Sequence, residues 1–131
     1  MRISNQVYKQ LLNNSITAKQ NKYRNKKVVY DGIKFDSIKE KNYYTTLKYL
    51  EKVGIIKDLE LQKEYILIDK FTLNGKTYRK TSYFADFTYF NTKDNKIHVV
   101  DVKSEITRKN EVYKLKKKMM AYKYSIEIEE M

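Results

Sequence analysis

Apolar and β-branched residues gather in short runs, "YILI", "SYFADFTYF" and "KIHVV", separated by polar turns, which is the pattern of buried strands. The first run predicts a strand near Leu59 to Ile68. A turn at Asn74-Gly75 leads back through a second strand over 76–90, and a polar turn leads on to a third over 96–103. Upstream, "KVVYDGIKF" gives two short strand-like pieces around Asp31-Gly32, a strong two-residue hairpin signal. "DSIKEKNYYTTLKYLEKVG" reads as a helix that starts at Ser37 and is stopped by Gly54. "NEVYKLKKKMMAYKY" predicts a second helix, with Val112, Leu115, Met119 and Tyr122 as its apolar stripe, and "SIEIEE" alternates as a short edge strand. Residues 4–13 are expected to form a short helix capped by Ser4, and residues 14–27 are polar, basic and aperiodic. With those N-terminal pieces set aside, the order is α-β-β-β-α-β. The expected organisation is a basic arm over 1–27 and an α/β domain over 28–131.

Two of these strands carry charges that a hydrophobic sheet does not tolerate unpaired. Asp86 lies between Ala85 and Phe87, and Asp101 between Val100 and Val102, with Lys103 two positions on. Strand alternation puts Asp101 and Lys103 on one face. A turn centred between Lys93 and Asp94 sets Asp86 directly opposite Asp101; a centre one residue on sets it opposite Lys103. Both registers gather the three groups on one face. Opposed carboxylates repel unless a cation intervenes, and Mg²⁺ or Mn²⁺ suits such an oxygen-only site. The plainer alternative is an Asp101–Lys103 ion pair at a strand end, with Asp86 a charge near a turn. Glu40 has two readings: an acid on the helix side that carries Tyr43, Tyr44 and Leu47, or the glutamate of an S-x-x-E capping box bonded to the Ser37 backbone. His98 falls on the face opposite Asp101 and reads as structural.

Composition narrows the partner. The 131-residue chain has no cysteine, which excludes disulfides and Cys-based zinc sites, and no apolar run approaches a membrane span. No signal peptide is visible, so a cytoplasmic location is expected. The net charge is +12 with pI near 9.6. Such a balance favours a polyanion, nucleic acid ahead of a membrane surface. The charge is clustered: Lys19 to Lys27 holds five basic residues and no acid, and residues 107–124 hold seven against one.

The order of elements and acids resembles the PD-(D/E)XK nuclease superfamily, and "KYRNKKVVYDGIKFDSIKE", "LELQ", "YFADFTYF" and "VVDVKS" look like a small phage-encoded family of unassigned function within it. The resemblance covers roughly residues 22–128. It implies a restriction-endonuclease-like αβββαβ core, a mixed central sheet flanked by two helices. It also implies that Asp86, Asp101 and the Val102 carbonyl ligate the metal, that Lys103 orients the attacking water, and that Glu40 binds a second metal or its water. Gln62 stands where related nucleases have a polar active-site residue. Ala85 replaces the usual motif proline. Lys114, Lys116, Lys117 and Lys118, with Lys26 and Lys27, are the expected phosphate contacts. The activity implied is hydrolysis of DNA, branched or duplex, in the manner of a Holliday-junction resolvase. Cutting two strands calls for a homodimer, and the location would be the host cytoplasm. The alternative is a nucleic-acid-binding or phage regulatory protein that keeps the fold without catalysis.

Overall fold

The computed structural model describes residues 27–131; the expected helix over 4–13, the arm up to residue 26 and with it Lys26 lie outside the described residues. The elements are β1 (Val28–Tyr30), β2 (Ile33–Phe35), α1 (Ile38–Lys52), β3 (Ile56–Ile68), β4 (Phe71–Leu73), β5 (Lys76–Tyr78), β6 (Thr81–Asn91), β7 (Lys96–Asp101), α2 (Glu105–Arg108), α3 (Glu111–Tyr124) and β8 (Glu129–Glu130). The described residues divide into two compact units, one ending at Thr46 and the other Leu47–Met131.

In the first unit, Asp31 and Gly32 both take positive φ, 59° and 75°. That is what a two-residue type I′ turn requires, and the register Val28↔Phe35 and Tyr30↔Ile33 follows from it. Val28, Phe35 and Tyr44 are buried. The Tyr44 ring lies 5.1 Å from that of Phe35, and its hydroxyl donates to Asp31 Oδ2 at 2.9 Å. Helix α1 opens with a capping box: Ser37 Oγ accepts the Glu40 N–H at 3.0 Å. Glu40 Oε1 in turn accepts from the Asp36 N–H at 3.2 Å, one residue beyond the expected Ser37 amide. The β1–β2 ladder ends at Phe35, which leaves the next amide to the carboxylate.

In the second unit, α1 ends on Gly54 at φ 85°. The Gly54 N–H donates to the Glu51 carbonyl and the Ile55 N–H to the Leu50 carbonyl, a Schellman closure. The main sheet has the order β3-β6-β7-β8, antiparallel except for the parallel β7–β8 pair. Its elements, with α1 and α3, run in the expected order α-β-β-β-α-β, a mixed α/β fold. Tyr65, Leu67, Tyr83, Ala85, Val99, Tyr113, Met120 and Ile128 form the core. Between β6 and β7 the register is Phe87↔Val100 through Asn91↔Lys96, so the turn is centred between Lys93 and Asp94.

Two expectations are corrected. The strand expected over 76–90 is broken: the Asn74-Gly75 turn closes a separate β4–β5 hairpin, and β6 begins only at Thr81. In α3 the expected stripe is not the buried one. Of the expected four only Met119 packs against the core, partly buried; Val112, Leu115 and Tyr122 are exposed, while Tyr113 and Met120 are buried. Lysines flank both candidate faces, and a lysine stem can cover apolar surface while its ammonium reaches a polar partner, so polarity did not separate them. The chosen face is fixed at the helix end, where the Tyr124 hydroxyl and Lys123 ammonium donate to the Ile66 carbonyl at 2.7 and 2.9 Å. Among the described residues no helix is long and apolar enough to cross a membrane.

His98 ties the sheet to its turn. Its Nδ1 lies 2.5 Å from Glu129 Oε2 and its Nε2 2.7 Å from Asp94 Oδ2, with the ring stacked on Tyr89. With both acids ionised, both ring nitrogens must donate, which only imidazolium can do. Partial burial pulls the His98 pKa down, but the bonds and charges of Glu129 and Asp94 outweigh it and hold the pKa above the ordinary value. A raised pKa means stability fully present below the unfolded value of about 6.5 and lost as pH rises through the folded one. Thermal melts of wild type and His98→Gln should therefore differ most near pH 6 and converge at alkaline pH. A difference that grows with pH would contradict the imidazolium latch.

Candidate active site at the end of the central ladder

The β6–β7 ladder stops at Phe87↔Val100, one position before Asp86 and Asp101. Beyond it, the two carboxylates replace the backbone bonds. Asp101 Oδ1 accepts the Asp86 N–H at 3.0 Å, and Asp86 Oδ2 accepts the Val102 N–H at 2.9 Å. Each strand thus satisfies an amide of the other through an aspartate. On the far side of β7 the Met131 N–H donates to the Asp101 carbonyl at 2.9 Å, and the Lys103 N–H donates to the Met131 carbonyl at 3.2 Å. Residues 101 and 103 therefore face β8, which turns the intervening Val102 amide toward β6.

Asp101 is fully buried, at 0% exposure. Its Oδ2 accepts from the Tyr83 hydroxyl and lies 3.6 Å from Lys103 Nζ. Burial, followed by the charge of Asp101, raises the Tyr83 pKa, so the phenol stays protonated as a donor. Lys103 also sits over the Tyr113 ring, 4.8 Å from its centroid. The Tyr113 hydroxyl donates to Glu130 Oε2 at 2.6 Å, and Glu130 pairs with Lys117 at 3.2 Å. Gln62 Nε2 donates to Asp86 Oδ1 at 3.0 Å. Gln62 itself has φ 54°, a left-handed conformation within an edge strand that costs about 1–2 kcal/mol for such a residue. Its neighbours pair regularly, Leu61↔Phe87 and Lys63↔Ala85. Gln62 is the distorted position facing Asp86; β3 is left-handed again at Asp58, φ 58°, where the register shifts between Lys57 and Glu60.

Burial raises the Asp86 pKa first and the neighbouring Asp101 charge second; Val102, Gln62 and Lys103 only partly offset them, and the result is about 6. The pair carries more negative charge than its surroundings neutralise. A divalent cation would answer that excess. The donors are all oxygen, each carboxylate oxygen has a second acceptor position, and Mg²⁺ sites commonly use one or two carboxylates completed by water and phosphate. The residues fit a hard cation on those terms. Among the described residues no group of three or more His, Asp and Glu side chains is placed to hold a metal.

Of the residues singled out from sequence, Gln62, Asp86, Asp101, Val102 and Lys103 come together here. Glu40 belongs to the first unit, where its carboxylate closes the α1 capping box, and exposed Lys27 pairs there with Asp36 at 3.3 Å. Lys114, Lys117 and Lys118 line a concavity of about 310 Å³ with Ala121 and Glu127; Lys116 does not line it. Tyr83, Tyr113 and Glu130 were not anticipated. Tyr83 is an odd number of residues from Asp86, so strict alternation assigns it the other face. The signal for it was chemical: a core tyrosine needs a partner for its hydroxyl.

A family model described as "Protein of unknown function (DUF1064)" matches residues 20–129. The chain belongs to the DUF1064 family. The DUF1064 match spans nearly the same residues as the motifs read from sequence, and its description assigns no activity. No curated protein and no solved structure matches the chain.

The raised Asp86 pKa makes this DUF1064 site a source of pH dependence. An acid whose folded pKa lies above its unfolded value stabilises fully below about pH 4, and that contribution is lost as pH rises through about 6. In metal-free buffer, the melting temperature of Asp86→Asn relative to wild type should climb between pH 4 and 7, by the equivalent of roughly 2–3 kcal/mol at most. A flat difference across that range would mean that Asp86 and Asp101 do not strain one another.

Proposed function

We propose that this DUF1064 chain is a divalent-metal-dependent DNA endonuclease of the PD-(D/E)XK type, with a restriction-endonuclease-like core. The observation that carries the reading is the meeting of Asp86, Asp101 and Lys103 where the β6–β7 ladder ends, with the Asp86 pKa raised by burial and by the Asp101 charge. The order of the main elements and the net charge of +12 support it. The substrate is branched or duplex DNA, cut by structure in the manner of a Holliday-junction resolvase during phage recombination or replication. A homodimer then supplies the second cut.

Asp86, Asp101 and the Val102 carbonyl would hold Mg²⁺ or Mn²⁺. The ion supplies Lewis acidity toward the scissile phosphate. Lys103 orients a water for in-line attack on phosphorus and offsets the charge that develops on the phosphate oxygens. Asp101 and the Tyr113 ring hold its ammonium in place. Tyr83 and Gln62 position the two carboxylates rather than touch substrate. Lys114, Lys116, Lys117 and Lys118 engage phosphates beside the site.

A second reading has its own support. Every oxygen of the two carboxylates already accepts an internal hydrogen bond, which a purely structural clasp would also do. That reading is a nucleic-acid-binding or regulatory protein with a nuclease-like fold.

Cleavage of junction, flap, single-stranded and duplex DNA with and without Mg²⁺ separates them. Asp86→Asn, Asp101→Asn and Lys103→Ala should each lower cleavage by at least about a hundredfold while DNA binding persists. Binding without cleavage in wild type would favour the second reading.

Metal should also stabilise the fold by mass action, about 2.7 kcal/mol at a hundredfold excess over its dissociation constant. Millimolar Mg²⁺ or Mn²⁺ should raise the melting temperature of wild type and leave Asp86→Asn unmoved, with an uncleavable DNA bound in a parallel titration. No shift in either titration would remove the metal from the site.

A further inference from the structure

The β4–β5 hairpin interrupts the connection between β3 and β6 and buries none of its six strand residues. Its register pairs Phe71 with Tyr78, Thr72 with Thr77 and Leu73 with Lys76. Alternation therefore gathers Phe71, Leu73, Lys76 and Tyr78 on one face and the two threonines on the other. The Phe71 and Tyr78 rings are stacked, 4.8 Å between centroids and 10° between planes, and Lys76 Nζ lies 5.0 Å from the Tyr78 centroid. Phe71 is 46% exposed, Leu73 58% and Tyr78 38%. A two-stranded ribbon gains little stability of its own, so an apolar face held out on one calls for an occupant.

Charge selects that occupant. From Lys70 to Lys80 the chain carries Lys70, Lys76, Arg79 and Lys80 and no acid. Lys80 is paired with Glu64 at 2.8 Å, Lys76 sits on the Tyr78 ring, and Lys70 and Arg79 flank the two strands in sequence. Flat exposed rings with basic residues beside them match bases flanked by phosphates. The hairpin also continues the two strands that carry Gln62 and Asp86. Five or six strand residues separate its root from those side chains, roughly 17–20 Å.

We propose that the β4–β5 hairpin is a nucleic-acid contact element. Phe71 and Tyr78 stack unpaired bases of single-stranded or branch-point DNA, with Leu73 wedged beside them, while Lys70, Lys76 and Arg79 take the adjacent phosphates. The inference rests on the reading that this protein acts on DNA, and it adds what the aspartate site does not supply, a preference for unpaired bases.

The test is fluorescence anisotropy with single-stranded, four-way-junction and closed duplex DNA, in EDTA so that nothing is cut. The double variant Phe71→Ala/Tyr78→Ala should bind single-stranded DNA about tenfold or more weakly and closed duplex within about twofold of wild type. Phe71→Tyr/Tyr78→Phe should restore binding. A 2-aminopurine in the single strand should change fluorescence with wild type and not with the double alanine variant. Lys70→Gln/Lys76→Gln/Arg79→Gln should weaken all three DNAs alike and flatten their salt dependence. Since the hairpin is exposed, each variant should melt near the wild-type temperature. Unchanged single-strand affinity in the double alanine variant, with wild-type DNA binding intact, overturns the hairpin inference alone. An equal loss on all three DNAs overturns the stacking role. Absence of DNA binding in wild type overturns both this inference and the endonuclease reading. Phe71- and Tyr78-dependent sedimentation with anionic vesicles, at unchanged DNA affinity, assigns the face to lipid and overturns it as well.

Discussion

Where β6 and β7 stop pairing through their backbones, Asp86 and Asp101 pair them through side chains, and the local structure is organised around that exchange. A buried carboxylate is costly unless it is hydrogen-bonded and charge-compensated. Asp101 meets the requirement with the Asp86 amide, the Tyr83 hydroxyl and the Lys103 ammonium. Asp86 meets it with the Val102 amide and Gln62. The supporting features follow from those needs: the buried Tyr83, the left-handed Gln62, and the Met131 backbone bonds that turn Val102 toward β6.

Hydrogen bonds satisfy the oxygens without neutralising the charge. Two carboxylates share one small volume with a single ammonium beside them, and burial first, then the Asp101 charge, raises the Asp86 pKa to about 6. A clasp built only for stability would do as well with one acid and one amide side chain. Two acids beside one ammonium are the physical link between the clasp and the metal chemistry proposed for it. Lys103 is restrained by Asp101 on one side and by the Tyr113 ring on another, so its ammonium is positioned rather than free in solvent. Glu130 extends the same network to Lys117, joining the centre to the basic helix α3.

Much of this was legible in the sequence because the relevant forces act over few residues. Asp31-Gly32 and Asn74-Gly75 supply the positive φ angles that two-residue turns demand, so both hairpins could be read from dipeptides. Ser37, Glu40 and Gly54 mark the ends of α1 through bonds spanning three to five residues. The β6–β7 register was legible as one of two, and the structure takes the turn centred between Lys93 and Asp94, which sets Asp86 toward Asp101 rather than Lys103.

Tertiary structure decided what local pattern left degenerate. Helix α3 carries two faces of similar polarity, and the burial of Tyr113 and Met120 rather than Val112, Leu115 and Tyr122 was settled by contacts to distant β3 and to Glu130. Tyr83 meets Asp101 although β6 still alternates there, paired with β3 at Tyr65↔Tyr83: it is β7 that leaves the β6 ladder after Val100, and the Asp101 side chain then reaches the Tyr83 hydroxyl. The separate β4–β5 hairpin arises because the Asn74-Gly75 turn closes a ladder reaching back only to Phe71, while β6 takes a different partner, β3, from Thr81 onward. Turn chemistry and capping are encoded by neighbours along the chain. The choice of a buried face and the end of a ladder depend on residues far apart in sequence, which only the assembled sheet and helix bring together.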